Sequence, residues 1–193
     1  MRAATAICSA ATAALLAGST VPAQTTAPAP NSTGAKLVEQ FKGQAAEYLA
    51  WREKTVGSGP PPTDSPEKLD AVRHDLANKI RTARAGAKQG KIFTPQIADY
   101  FRRQISATLN GRHGHEVRAT LLHAEPVKMD LQVDQSYPPN VPLQSTPPTL
   151  LLNLPELPKG LEYRIIDREL VLLDTGPNIV VDYIPDAFPG NTE

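Results

Sequence analysis

Three short runs of Leu, Ile and Val near the C-terminus constrain the fold more than any other feature. They are Leu161-Glu162-Tyr163-Arg164-Ile165-Ile166, Leu170-Val171-Leu172-Leu173 and Ile179-Val180-Val181-Asp182-Tyr183-Ile184. Asp167-Arg168 separates the first two, and Thr175-Gly176-Pro177-Asn178 separates the second from the third. Short apolar runs bounded by Gly, Pro, Asn and Asp are strand signals, and such brief connections make neighbouring strands antiparallel. In the first run Leu161, Tyr163 and Ile165 alternate with Glu162 and Arg164, the pattern of one buried and one wet face. The second run is apolar throughout, which places it centrally with both faces covered. The reading is a three-stranded meander, with Leu150-Leu151-Leu152 as a candidate fourth strand.

Upstream the period changes from two to about 3.6. From Ala35 to about Val56, Leu37, Phe41, Ala45, Tyr48, Leu49 and Arg52 fall on one helical stripe, with Trp51 beside it. Gly57 to Pro62 breaks that helix. Ser65-Pro66 then starts another, Ser65 as N-cap and Pro66 where a missing N–H is no loss. Its expected buried face is Leu69, Val72, Leu76, Ile80 and Ala83, and Gly86 and Gly90 end it. Thr94-Pro95 repeats the start signal ahead of Ile97, Phe101, Ile105 and Leu109, and a short helix from Glu116 to His123 follows. Beyond Ala124 the chain holds 11 of its 19 prolines, so helix gives way to extended segments; Lys128 to Val133 alternates like a strand. Helices followed by strands predict an α+β fold, an N-terminal helical layer of three to four helices packed on a small C-terminal antiparallel meander.

The N-terminus stands apart from this domain. Met1 to Ala23 carries one charge, Arg2, then an Ala-rich apolar segment ending in the small-residue pattern Val21-Pro22-Ala23. That is the form of a signal peptide cleaved after Ala23, too short in its apolar core to serve as a membrane anchor. Residues 24–34 read as a disordered Pro- and Thr-rich leader. Residues 35–123 and the Pro-rich 124–188 then form one domain, and 189–193 a tail. The expected location is the periplasm or the exterior. The single cysteine, Cys8, falls in the removed segment, so disulfides, thiol catalysis and Cys-ligated metal are excluded for the exported chain.

Charge is distributed unevenly. Residues 68–123 hold 11 Lys and Arg against 4 Asp and Glu, a net of +7, whereas residues 124–193 hold 4 against 11, a net of −7. Opposite halves can attract within one molecule or head to tail between molecules. A protein partner or self-association through those halves is therefore one expectation, with Trp51, Arg73, Arg81 and Arg84 as the candidate binding residues. With aromatics at 5% and an exported location, the basic half does not describe a nucleic-acid reader.

Catalytic patterns are missing. His115-Glu116 lacks a second His four residues on, because position 119 is Ala. His113 and His115 remain as weak metal candidates, with His74 or His123 available to join them. The segment from Gly86 to Lys91 is one residue too short for a phosphate loop, and Ile92 stands where a hydroxyl is needed. The carboxylates Asp167, Glu169, Asp182 and Asp186 at strand ends read as solvated turn residues. No cofactor is implied.

The segments Leu157-Pro158-Lys159-Gly160-Leu161-Glu162-Tyr163-Arg164, Leu170-Val171-Leu172-Leu173-Asp174 and Asn178-Ile179-Val180-Val181-Asp182-Tyr183-Ile184 together resemble the terminal hairpin of RcnB-type periplasmic proteins. The mature chain also resembles uncharacterised secreted bacterial proteins with the same ending. The RcnB resemblance implies a shared hairpin and, through that family, nickel and cobalt homeostasis. The functional expectation is a non-catalytic exported binding or assembly module; metal handling through His113 and His115, and an enzyme of unrecognised type, are the alternatives.

Overall fold

A computed structural model describes residues 32–57, 63–123, 129–137 and 146–189, with the side chains of Leu122 and His123 excepted. The segments expected to be a signal peptide and a leader, up to residue 31, and the tail from residue 190 lie outside the described residues. The elements are α1 (Thr33–Val56), α2 (Pro66–Ala83), α3 (Pro95–Asn110), α4 (Gly114–His123), the single turn α5 (Pro148–Leu151), and strands β1 (Leu161–Ile166), β2 (Glu169–Asp174) and β3 (Ile179–Ile184). The class is α+β, as the order of signals predicts. No described helix is long and apolar enough to cross a membrane.

Local chemistry sets the helix starts. Ser32 caps α1 two residues before the expected leader boundary, its hydroxyl accepting from the Ala35 N–H at 3.1 Å. Ser65 caps α2 the same way through Lys68 N–H at 3.3 Å, with Pro66 in the first turn. Pro95 opens α3, and its stripe Ile97, Phe101, Ile105 and Leu109 is buried in full. On α2 the buried residues are Leu76, Ala77 and Ile80, while Ala83, expected inside, is exposed. In the last turn Ile80 is buried and Arg81 half-buried, while Thr82 and Ala83 face solvent.

The sheet has order β1-β2-β3, both pairs antiparallel. Asp167, at φ 52°, turns the chain between β1 and β2, and Asn178, at φ 56°, turns it into β3. Asp and Asn tolerate that left-handed conformation because their short side chains hydrogen-bond locally. A bulge at Leu172/Leu173 shifts the β2–β3 register by one residue.

Both faces of the sheet are covered, as the unbroken apolar run of β2 requires. One face, with Leu161, Tyr163, Ile165, Leu170, Leu172, Val181 and Ile184, meets the helices. At its centre Phe41 of α1, Phe93 of the loop before α3 and Phe101 of α3 pack with ring centroids 5.0 to 5.4 Å apart. Each such pair adds about 0.5–1.5 kcal/mol to the burial of the rings. The other face, Ile166, Val171, Leu173 and Val180, is closed by Leu131 and Tyr137, with Met129 and Tyr183 at its margin.

Two expected strands are absent. Met129 to Val133 forms no strand, and Lys128 lies outside the described residues. Asp134, at φ 63°, turns the chain immediately afterwards, and only Ser136 makes a bridge, to Ile179 of β3. Leu150-Leu151-Leu152 is not a fourth strand either. Pro148 starts a helical turn there, and the Leu150, Leu151 and Leu152 N–H groups bond back to the Pro147 and Pro148 carbonyls. Proline preset for the first helical position outweighs a three-residue apolar run.

Candidate functional site

Three features of the folded chain carry polar chemistry or exposed apolar surface. The first is a charged seam between α1, α2 and the sheet. Asp174, fully buried at the end of β2, accepts from the Tyr48 hydroxyl at 2.9 Å, Arg52 Nη1 at 3.0 Å and the Gly176 N–H at 3.1 Å. Burial pushes its carboxyl up, with Arg52 and Tyr48 pulling the other way. Burial, then the Asp174 charge, pushes the Tyr48 hydroxyl far above the ordinary phenol range. Arg84 lies over the rings of Tyr48 and Trp51, 5.1 and 5.9 Å from their centroids, and its Nη1 reaches Asp134 Oδ1 at 2.7 Å. Arg81 Nη1 donates to Ser136 Oγ at 3.1 Å and to the Asp134 carbonyl at 3.4 Å. A phenol that keeps its proton and guanidiniums that never lose theirs make a fixed network that joins elements, not a proton relay.

Three of the four residues singled out from sequence therefore converge: Trp51, Arg81 and Arg84 sit on this seam. Arg73 does not join them; half-buried on α2, it lies 3.9 Å from the exposed Asp70, one turn back. The opposite charges of the two halves meet inside one molecule at Arg84–Asp134. Asp134 gives this seam a pH dependence. Burial raises its carboxyl to about 6 against the pull of Arg84 and Arg81. The folded state thus holds a proton that the unfolded chain has already released, and stability falls as pH rises through that interval. We expect the wild type to lose about 1–2 kcal/mol relative to Asp134→Asn between pH 4 and 7, a figure reduced for solvent screening. Parallel urea titrations of the two proteins read that difference, and a constant gap across the range contradicts it.

The second feature is Asp182. Read from sequence as a solvated turn residue, it is instead 1% exposed. Its Oδ1 accepts from the Gly90 N–H at 2.8 Å and the Tyr183 N–H at 2.9 Å; its Oδ2 accepts from Ile92 at 2.7 Å and Phe93 at 2.9 Å. The loop between α2 and α3 is folded around this carboxylate. Asp167 and Asp186 do lie exposed at their turns, and Glu169 is half-buried.

The third feature is an apolar groove of about 660 Å³ beside β1, walled by Leu151, Leu152, Leu154, Pro155 and Leu157 on one side and by Leu161 to Arg164 on the other. Tyr163 forms part of its wall, its hydroxyl donating to the Pro155 carbonyl at 2.8 Å. Thr175 N–H donates to the Gly160 carbonyl, which sets the ladder phase and turns the backbone groups of Leu161, Tyr163 and Ile165 toward the open side of β1. Thr146 Oγ1 closes the middle of that edge by donating to the Tyr163 carbonyl at 2.9 Å. Leu151 is 42% exposed and Leu152 is 86% exposed, the exposed large hydrophobics among the described residues. Sequence reasoning offered these leucines as a candidate fourth strand; the signal it passed over is Pro148, which starts the helical turn that holds them.

His113 and His115 stand exposed at the start of α4, His113 Nδ1 3.4 Å from Glu116 Oε2. Among the described residues no group of three or more His, Cys, Asp or Glu side chains is placed to hold a metal ion. The chain matches no family model, no curated protein and no solved structure.

Proposed function

We propose that this chain is an exported, non-catalytic binding or assembly module that engages a protein partner through the groove beside β1. The observation that carries the reading is Leu152. A leucine 86% exposed, next to another at 42% and an open apolar groove, is surface that water disfavours and a partner would cover. The polar seams support the same reading from the other side. Asp134, Asp174 and Asp182 bond groups from other elements and so tie the helices and sheet together, which leaves the groove with Leu151 and Leu152 as the exposed apolar feature among the described residues. Around the groove, Glu162 pairs with Arg164, and among the described residues no nucleophile stands beside a base.

The test is crosslinking capture with the tagged chain from its own exported fraction, wild type against Leu152→Glu, read by mass spectrometry. A partner recovered at stoichiometric yield with the wild type and lost with the variant is expected. Equal recovery by both proteins removes the groove from the function. Turnover of any substrate by the purified chain sinks the non-catalytic part of the reading.

A further inference from the structure

We propose that the occupant of the groove is the same surface of a second copy of this chain, in a two-fold dimer where Leu152 of each copy enters the groove of the other. The inference rests on the reading of the groove as a binding surface. Leu152 projects from the rim of the cavity that it helps to line, so knob and hole lie on one patch. A two-fold axis brings such a patch against itself and seats both knobs at once, the self-complementary arrangement of an isologous contact.

Charge selects a second copy over a charged peptide. The groove and the turn before β1 carry two carboxylates, Glu156 and Glu162, and two cations, Lys159 and Arg164. A strongly basic or acidic partner leaves one sign of that set facing its like. The balanced set is instead matched by its own rotated image. Glu162 and Arg164 flank Tyr163 on either side and now pair with each other. An axis beside Tyr163 sets Glu162 of one copy against Arg164 of the other, and the reverse pair forms by symmetry. Thr146 blocks the backbone at the middle of the edge, so the contact is made by side chains and not by an added strand. A patch of this size makes a weak, concentration-dependent dimer rather than an obligate one.

Sedimentation of the exported chain over about 5 µM to 1 mM tests this, a range chosen for a weak dimer. The wild type is expected to pass from monomer to dimer across the series. Leu152→Glu, at a site too exposed to affect folding, is expected to weaken the dimer about a hundredfold or more, since two copies of the side chain leave the contact. Glu162→Arg and Arg164→Glu are each expected to weaken it, by opposing like charges, and the double exchange to restore it to within a few-fold. The double exchange also restores the pair within one copy, so each single variant is in addition expected to unfold at the wild-type urea concentration, which separates loss of the dimer from loss of the fold. A chain monomeric at every concentration, a dimer indifferent to Leu152→Glu, or a double exchange no better than its parents overturns the dimer. A monomer that still captures a partner through Leu152 overturns the dimer alone and leaves the groove as a binding surface.

Discussion

Replacing Asp182 by Ala is expected to cost about 3–5 kcal/mol in a urea titration, a large part of the stability of an ordinary domain. The reason is the number of donors that share one carboxylate. Gly90, Ile92, Phe93 and Tyr183 all direct backbone N–H groups at it, from 2.7 to 2.9 Å. Removing the carboxylate leaves buried amides with nothing to bond, and each orphaned donor costs about 1–3 kcal/mol unless water or a loop movement relieves it. The loop that would move carries Ile92 and Phe93, both in the core, with Phe93 against Phe41 and Phe101. Relief through movement therefore opens the aromatic cluster. Asp182→Asn is expected to fall between, at about half the loss, because its one carbonyl oxygen still serves two of the donors while its amide faces the others. A loss below about 1 kcal/mol for the Ala variant shows that the loop holds its shape without the carboxylate.

That carboxylate shows where a linear reading stops. Signals that act within a few residues were legible: Ser65-Pro66 and Thr94-Pro95 start helices, and the turns at Asp167-Arg168 and Thr175 to Asn178 space the strands of the meander. The stripe Ile97, Phe101, Ile105 and Leu109 is buried because helical spacing alone decides which residues share a face. Asp182 was misread because its partners lie some 90 positions earlier in the chain, across the α2–α3 loop. At the level of sequence a buried clamp and a solvated turn acid look the same. Met129 to Val133 fails for a related reason. Alternation marks an extended chain with one side buried, and Leu131 is buried, but a strand also needs a partner along its edge. Beside β3 that place is taken by Asp134 to Tyr137, through Asp134 N–H to the Val180 carbonyl at 2.7 Å and Tyr137 N–H to the Asn178 carbonyl at 2.9 Å.

The candidate surface divides the same way. Trp51 of the first helix and Arg73, Arg81 and Arg84 of the second were the candidate binding residues, and all but Arg73 gather in one place. What they gather around is Asp134 of the same chain. Charge asymmetry in the sequence identifies that two parts attract; only the fold determines whether they belong to one molecule. The groove escaped notice because its exposed leucines sit in Leu150 to Leu152, which apolar character alone made a candidate strand, whereas Pro148 starts a helical turn there.

Replacing Arg52 by Met is expected to cost about 3–5 kcal/mol at pH 8, and distinctly less at pH 5. Arg52 is the cation that faces Asp174, and the carboxylate is fully buried. Without it the charge keeps only the Tyr48 hydroxyl and the Gly176 N–H as partners. The sign of the pH effect follows from the direction in which Asp174 is already displaced. Burial raises its carboxyl in the folded state even with Arg52 present, so removing Arg52 raises it further. The folded variant then takes up a proton at a pH where the unfolded chain remains ionised, and its stability recovers as pH falls toward the ordinary carboxylate value. At pH 5 the buried group can be a neutral acid beside Tyr48, which costs far less than an unpaired anion. Combining Arg52→Met with Asp174→Asn supplies that neutrality at every pH, so the double variant is expected to lose less than the two single losses together. Urea titrations of the four proteins at both pH values read the whole cycle. A loss from Arg52→Met that is the same at pH 5 and pH 8 indicates that its alkyl packing, not its charge, is what α1 contributes to the sheet.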